Sequence, residues 1–232
     1  MIKPYFLFFL LLPLFSFANE VQQLDRVAID PANLTSLQHG AHTFINYCLS
    51  CHSANYMRYN RLRDIGLTDV QIKNNLLLVA DKIGDTMSIA MSPKDAKEWF
   101  GVSPPDLSVE ARARGVDWIY TYMRSFYRDD SRPNGWNNAV FDKVAMPHVL
   151  YGLQGIQVRD AGTGKLKLIA PGSLSAQEYD TMITDLTNYM AFMAEPAKQE
   201  RQHLGFKVMA FLVVLLWLVY RLKKIYWKEI EQ

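Results

Sequence analysis

The apolar residues of the chain are concentrated in two blocks, one at each end, with a more mixed pattern between them. In the first block, an apolar run over residues 5–15 follows Lys3 and precedes a Ser-Phe-Ala sequence that ends at Ala18, a small-x-small pattern typical of signal peptidase sites. The run is short for a membrane span and contains Pro13, so an uncleaved anchor is the weaker interpretation. The pattern predicts a signal peptide over residues 1–18.

The second block has the length and the flanking residues of a membrane-spanning helix. Its apolar stretch from Val208 to Tyr220 is uninterrupted, and residues 204–222 reach about 20 residues, enough to cross a bilayer. Cationic and interfacial aromatic residues surround its C-terminal end: Arg221, Lys223, Lys224, Lys228, Trp217, Tyr220, Tyr226 and Trp227. Because positive residues favour the cytoplasmic side, we predict a transmembrane helix over 204–222 and a short cytoplasmic tail over 223–232.

Between these blocks, the apolar periodicity and the capping signals are mainly helical. A helix is predicted over residues 34–47, another begins after Ser92, and one or two lie within residues 107–127. Capping boxes begin further helices at Thr68 and Ser175. The last of these has apolar residues at helical spacing: Tyr179, Met182, Ile183, Leu186, Met190 and Met193.

One segment departs from the helical pattern. Residues 156–169 have two alternating arms around a glycine-containing turn, which predicts a β-hairpin. Proline, glycine, asparagine and aspartate separate the other pieces into loops. We therefore predict a mainly α domain with long loops and a small β-hairpin over residues 19–203, plus one C-terminal transmembrane helix.

The predicted domain differs in net charge from the whole chain. The chain has a net charge of +2, but residues 19–203 hold 19 of its 25 basic and 21 of its 23 acidic residues, a net charge of about −2. Nothing in this balance favours nucleic acid as a partner. The two terminal signals instead predict a domain outside the cytoplasm, most simply in a bacterial periplasm, held to the inner membrane by one span.

The chain's only two cysteines, Cys48 and Cys51, form a Cys-x-x-Cys-His sequence with His52. A thioredoxin-like redox pair should begin a helix after a buried strand, and no such pattern surrounds Cys48. A structural zinc site needs a second ligand pair, which the remaining histidines do not form at finger spacing: His39, His42, His148 and His203. A disulfide here would close a very small loop with little entropic gain. In an exported chain, the motif favours covalent haem attachment with His52 as an iron ligand.

A low-spin haem needs a sixth ligand, commonly a methionine. Met146 is the best candidate because Pro147 biases it toward an extended backbone that can present its thioether from a loop. Met182, Met190 and Met193 lie on a helical apolar stripe, where core packing explains them better. His148 is the rival ligand, and the spacing alone leaves both possibilities open.

Four segments, in this order, resemble the cytochrome c1 family in its proteobacterial form. They are "CLSCHSANYMRYNRL", "PPDLSVEARARG", "NGWNNAVFDKVAMPHVLYGLQG" and "AEPAKQERQHLGFKVM", and the similarity extends from about Gln38 into the C-terminal anchor. The resemblance implies a c-type cytochrome domain with one covalently bound haem c.

The resemblance also implies roles for individual residues. Cys48 and Cys51 would hold the haem, and His52 and Met146 would be the axial iron ligands. Pro105, in the Pro-Pro-Asp-Leu turn, matches the family's loop beside the histidine side of the haem. Arg114 matches the family's arginine that faces a haem propionate, while Arg112 is expected on a solvated helix face. Tyr56 and Tyr59 are expected either near the haem edge or in the core.

The function implied by the resemblance is one-electron transfer within ubiquinol-cytochrome c reductase, the cytochrome bc1 complex. The chain would accept an electron from the Rieske iron-sulfur protein, sit beside the cytochrome b subunit in the bilayer, and reduce a soluble or tethered cytochrome c. It would be part of an enzyme without catalytic acid, base or nucleophile residues of its own.

Two alternatives stay open at this point. One is a membrane-anchored c-type cytochrome of another respiratory complex. The other belongs to a different class, a membrane-tethered thiol-disulfide oxidoreductase, which would have free or reversibly oxidised cysteines and no bound iron.

Overall fold

The computed structural model describes residues 24–228, and a pair of tightly packed helices forms its centre. Helix α1 (Leu34–Thr43) begins at Asn33, whose side chain accepts a hydrogen bond from the backbone of Ser36 at 3.1 Å. Helix α7 (Ala176–Ala194) begins with the predicted capping box, in which Ser175 and Glu178 satisfy each other's backbone N–H groups. The predicted signal peptide over residues 1–18 lies outside the described residues.

The helix predicted over residues 34–47 is confirmed, with one change of geometry near its end. After α1 the chain continues as a π-helical turn over Phe44–Cys48, so the helix ends inside the cysteine motif. A wider π turn rotates the residues that follow it relative to a regular helix, and such turns are frequent at functional sites. The fold therefore presents Cys48 from the end of a helix.

The remaining helices are short, apart from the last. They are α2 (Asp69–Asn75), α3 (Pro93–Phe100), α4 (Glu110–Arg114), α5 (Val116–Arg124), α6 (Tyr151–Gln154) and α8 (Lys198–Lys228), with a 3₁₀ helix over Tyr59–Ile65. The region predicted as one or two helices is two, because Gly115 between α4 and α5 adopts φ 90°, which breaks the helix. The capping box at Thr68 and the cap at Ser92 are both formed.

Within residues 24–228, three antiparallel two-stranded sheets lie around the helices. The predicted hairpin is confirmed as β5 (Gly155–Arg159) paired with β6 (Leu166–Pro171). Two further sheets were not predicted. They pair β1 (Ala54–Arg58) with β2 (Thr86–Met87), and β3 (Phe126–Arg128) with β4 (Trp136–Asn138). Three of these four strands are only two or three residues long, too short for an alternating pattern to stand out in the sequence.

The core lies between α1, α5, α7 and the 3₁₀ helix. Phe44 and Tyr189 meet with ring centroids 5.7 Å apart, and Tyr179 donates a hydrogen bond to the carbonyl of Met123 at 2.9 Å. Five of the six apolar residues predicted along α7 are buried, and Met182 is only partly buried. Helix α7 thereby connects the cysteine end of the domain to α5.

Helix α8 contains the predicted membrane span and is long and apolar enough to cross a bilayer. It stands apart from the domain, because no residue of this described helix is buried. Its apolar side chains have no protein surface to cover them, which agrees with a lipid environment.

Candidate functional site

A cavity of about 440 Å³ opens beside the cysteine motif. It is walled mostly by apolar side chains from the end of the π-helical turn, the Pro-Pro-Asp-Leu turn, α4, α5, the loop before Pro147, and α7. All six predicted site residues line it: Cys48, Cys51, His52, Pro105, Arg114 and Met146. The structure thus brings together residues that are almost a hundred positions apart in the chain.

The two cysteines are fixed on the cavity wall by a tight turn. The backbone N–H groups of Cys51 and His52 both donate to the carbonyl of Cys48, at 3.1 and 2.9 Å. The two thiols form no disulfide. Burial, aided by the nearby Cys51, raises the pKa of Cys48 to about 12. A thiol that resists ionisation is poorly suited to disulfide exchange, so the site does not favour the oxidoreductase alternative.

His52 is oriented by the Pro-Pro-Asp-Leu turn. Its Nδ1 donates a hydrogen bond to the carbonyl of Pro105 at 2.8 Å, because a carbonyl can only accept. The proton on Nδ1 leaves Nε2 with a free lone pair, the form in which histidine binds a metal. Burial lowers the pKa of His52, and this effect outweighs the Pro105 hydrogen bond and the nearby Glu110 and Asp106, which act in the opposite direction. The net shift favours the neutral imidazole.

The turn that carries Pro105 is itself held in place. The N–H of Leu107 donates to the carbonyl of Ser53 at 2.9 Å, and Asp106 accepts from the backbone of Asn55 at 2.8 Å. These bonds connect the turn to the residues directly after His52. Pro105 can therefore act on His52 through its backbone carbonyl rather than through its ring.

Met146 is held at both its backbone and its side chain. Asn134 donates to the carbonyl of Ala145 at 2.9 Å, directly before the methionine. The Tyr122 hydroxyl donates to the Met146 sulfur at 3.4 Å. Burial raises the pKa of Tyr122, so the phenol keeps the proton that it donates. Tyr122 thus holds the thioether on the cavity wall and Asn134 holds the peptide before it, and no local sequence pattern indicated either role.

A buried asparagine pair stabilises the loop that leads to Met146. Asn137 donates to Asp129 and Asp142, at 3.0 and 2.9 Å, and accepts from the backbone of Lys143 at 2.9 Å. Asn138 donates to the carbonyl of Tyr122 at 2.8 Å. Both asparagines belong to the "NGWNN" cluster that begins the third family-like segment, and the sequence alone indicated no role for them in holding Met146.

Arg114 lies at the edge of the cavity with its guanidinium partly exposed. Its Nε donates to Glu110 at 3.0 Å, and its guanidinium lies 4.6 Å from the ring centroid of Trp118. Its remaining N–H groups can pair with an anionic group of a bound ligand. Arg112 is exposed and does not line the cavity, as expected for a solvated face.

His148, the rival sixth ligand, does not line the cavity. It is buried, with its ring stacked on Phe126 at 4.9 Å and edge-on to Trp136 at 5.1 Å. Tyr56 and Tyr59 are also absent from the cavity wall. Tyr56 is 83% exposed, so it is not a core residue, whereas Tyr59 is fully buried, as expected for a core tyrosine.

The donor set of the cavity fits a haem c. Two thiols, a histidine nitrogen and a thioether are the groups that attach a c-type haem and ligate its iron, and the apolar walls suit the macrocycle. The described residues contain no group of three His, Cys, Asp or Glu that could hold a bare metal ion. The cavity volume also falls in the range of about 300–1,000 Å³ that is usual for ligand sites.

Known proteins resemble the chain along most of its length. The model of the cytochrome C1 family matches residues 28–230. A protein named "Ammonia monooxygenase gamma subunit" from Nitrosomonas europaea is 51% identical and covers 100% of this chain and 99% of its own length. Cytochrome c1 of Allochromatium vinosum is 46% identical, over 90% of this chain and 91% of its own length.

Solved structures give a weaker likeness. A chain described as "Hyperthermophilic respiratory Complex III" has a TM-score of 0.48 and 16% sequence identity, covering 97% of this chain and 94% of its own.

Proposed function

The chain belongs to the cytochrome c1 family, and we propose that it is the electron-carrying haem subunit of a bacterial cytochrome bc1 complex. Proteins of this family carry one covalent haem c and act in electron transfer. The observation that carries the proposal is that one cavity brings the Cys-x-x-Cys-His motif together with Met146. Within that motif, the Nδ1 proton of His52 is already hydrogen-bonded, which leaves Nε2 free to bind iron.

The residues of the cavity divide the work of holding the haem. Cys48 and Cys51 would attach it through thioether bonds, and His52 Nε2 and Met146 Sδ would be its axial ligands. Arg114 would pair with a propionate. The haem, when bound, supplies reversible one-electron chemistry. The chain supplies position, ligation and an apolar surrounding, and no residue needs to act as an acid, base or nucleophile.

The electron route follows from this assignment. We propose that the donor is the Rieske iron-sulfur protein, that the acceptor is a soluble or tethered cytochrome c, and that the cytochrome b subunit is the neighbour in the membrane. The chain would thus serve as the electron-transfer subunit of ubiquinol-cytochrome c reductase. Family membership and the fit of the cavity to one haem c support this route.

The chain is a single-pass membrane protein, and its orientation is part of the proposal. We place the haem domain, residues 19–203, in the periplasm, the span at 204–222 and the tail at 223–232 in the cytoplasm, after a signal peptide over 1–18. The basic residues that follow the apolar stretch of α8 support this orientation.

The name of the Nitrosomonas europaea relative raises a second candidate, a subunit associated with a monooxygenase. The described residues have no cluster of three His, Cys, Asp or Glu for an oxygen-activating metal centre. An electron-delivering haem subunit of such an enzyme would use the same cavity but a different acceptor. We favour the bc1 assignment because the family model covers nearly the whole chain.

The test uses the full chain with a C-terminal tag, in native membranes and after purification in mild detergent. A reduced-minus-oxidised spectrum with quinol as the reductant should show c-type and b-type bands, and the denatured chain should retain one covalent haem by mass. A Cys51→Ser variant, as the control, should lose stable attachment. An unmodified wild-type mass would exclude the haem function, and a c-type band that quinol cannot reduce in membranes would point to another complex.

A further inference from the structure

The hydroxyl of Tyr122 faces the sulfur of Met146 inside the cavity. The Tyr122 oxygen lies 3.4 Å from the Met146 sulfur, within hydrogen-bonding range for a sulfur acceptor. A phenol is a good donor and a thioether is only an acceptor, so the direction of the bond is fixed. In the described part of the chain, this is the only hydrogen bond of the hydroxyl.

The position of the phenol is set by rigid neighbours. The Tyr122 ring stacks on Trp118, with centroids 4.7 Å apart and planes inclined by 12°. Phe126 meets the same ring edge-on at 5.0 Å. Asn138 binds the Tyr122 carbonyl at 2.8 Å and so connects this turn of α5 to the loop that carries Met146. The donor and the acceptor therefore belong to one connected unit.

We infer that Tyr122 is a positioning residue that raises the reduction potential of the haem site through its hydrogen bond to Met146. The inference rests on the proposed function, since it takes Met146 as the sixth ligand. A hydrogen bond to the thioether withdraws electron density from the sulfur. The oxidised iron depends more on that density than the reduced iron does, so the bond stabilises the reduced state relative to the oxidised state.

The chain contains a matched control for this interaction. Tyr189 donates to the sulfur of Met87 at 3.7 Å, and both residues are fully buried in the core. Neither lines the cavity. Removing the Tyr189 hydroxyl makes the same chemical change away from the haem site. A general effect on packing or stability should follow from both substitutions, whereas an effect on potential should follow from only one.

The experiment compares Tyr122→Phe, Tyr189→Phe and the wild type as full chains in membranes. At a fixed ambient potential, Tyr122→Phe should lower the ratio of reduced to oxidised haem c by about threefold, the size expected from losing one weak hydrogen bond. It should also shift the charge-transfer absorption of the methionine-iron bond. Tyr189→Phe should leave both unchanged. Equal potentials for Tyr122→Phe and the wild type, or equal shifts in both variants, would overturn the inference.

Two further measurements separate the possible failures. If Tyr122→Phe does not accumulate, the iron-sulfur vibration of the wild type in H₂O and D₂O still tests the bond: a frequency shift on deuteration supports it and an unchanged frequency refutes it. Met146→Leu tests the ligand itself and should open the iron to carbon monoxide. A Met146→Leu variant that keeps the wild-type potential would contradict the ligand assignment in the proposed function instead.

Discussion

At the scale of the residue, the two proposed iron ligands are oriented by different kinds of hydrogen-bond partner. His52 is oriented by a backbone carbonyl, that of Pro105, while Met146 is oriented by the side chains of Tyr122 and Asn134. A backbone acceptor survives most substitutions at its own position, but a side-chain donor does not. The methionine side should therefore be the more easily tuned by mutation, and the histidine side the more robust.

His148 is the most unusual single residue beside the site. It is 2% exposed, and neither ring nitrogen makes a hydrogen bond of good geometry in the described part of the chain, although the side chain of Gln154 lies close enough to interact with the ring. A buried polar group without a partner costs free energy, about 1–3 kcal/mol. Burial, weakly opposed by Gln154, lowers the pKa of His148 from 6.5 to about 4. The folded protein thus holds this imidazole in its neutral form.

This shift predicts a loss of stability in acid that a His148→Phe variant should lack. The unfolded histidine has the higher pKa and binds a proton first as the pH falls. Its contribution to stability is therefore complete above about pH 6.5 and is lost progressively down to about pH 4. Between about pH 7.5 and pH 5, the free energy of unfolding of the wild type should fall by about 2 kcal/mol more than that of His148→Phe.

Urea denaturation of both chains in mild detergent at the two pH values measures this difference. The comparison near pH 7.5 is the internal control, because the imidazole is neutral in both states there and only packing differs. Parallel losses of stability in the two proteins would show that His148 is solvated in solution and would contradict its buried placement.

At the scale of the element, the closest helix packing lies between α1 and α7. A methyl group added at Gly40 would overlap the carbonyl oxygen of Asp185 and lie 2.6 Å from the Tyr189 Cβ. Alanine normally stabilises a helix by about 1 kcal/mol relative to glycine. Here the two helices must move apart, so Gly40→Ala should reduce the free energy of unfolding by about 1–3 kcal/mol.

Moving α1 and α7 apart should also disturb the haem site. Helix α1 leads into Cys48, and α7 lines the cavity with Leu186 and Met190. Gly40→Ala should therefore broaden the haem spectrum as well as lower stability in denaturation experiments. Gly152→Ala, on α6, is the control, since its added methyl group meets nothing within 4 Å. Equal stability of Gly40→Ala and the wild type would mean that the helices pack less closely than described.

The helices and strands also differ in how far the sequence could predict them. The starts of α2 and α7 depend on capping residues three positions apart, so local sequence is sufficient to locate them. The β3–β4 pair depends on contacts across a seven-residue gap and on the buried Asn138, whose partner Tyr122 lies 16 positions earlier. For the site, the Cys-x-x-Cys-His motif and the Met146-Pro147 pair were visible in the sequence. The hydrogen bond from Tyr122 was not, because it joins a helix to a loop 24 residues later.

At the scale of the whole molecule, the haem domain and α8 are structurally independent. No residue of α8 is buried, and an ion pair between the partly exposed Glu195 and the exposed Arg201 connects its first turn to the end of α7. Ion pairs at the protein surface contribute about 0–1 kcal/mol. The domain should therefore fold without the membrane helix, and α8 should serve only as its anchor.

Ending the chain after His203 tests this division, since the Glu195–Arg201 pair is retained and the apolar part of α8 is removed. The truncated protein should leave the membrane fraction, keep its covalent haem, and stay within about 1 kcal/mol of the stability of the full-length haem domain. Cell fractionation followed by haem staining and spectroscopy measures the result. A chain carrying Arg201→Ala at full length is the control and should stay in the membrane. Loss of haem from the truncated protein would show that α8, by contrast, supports the folding of the domain.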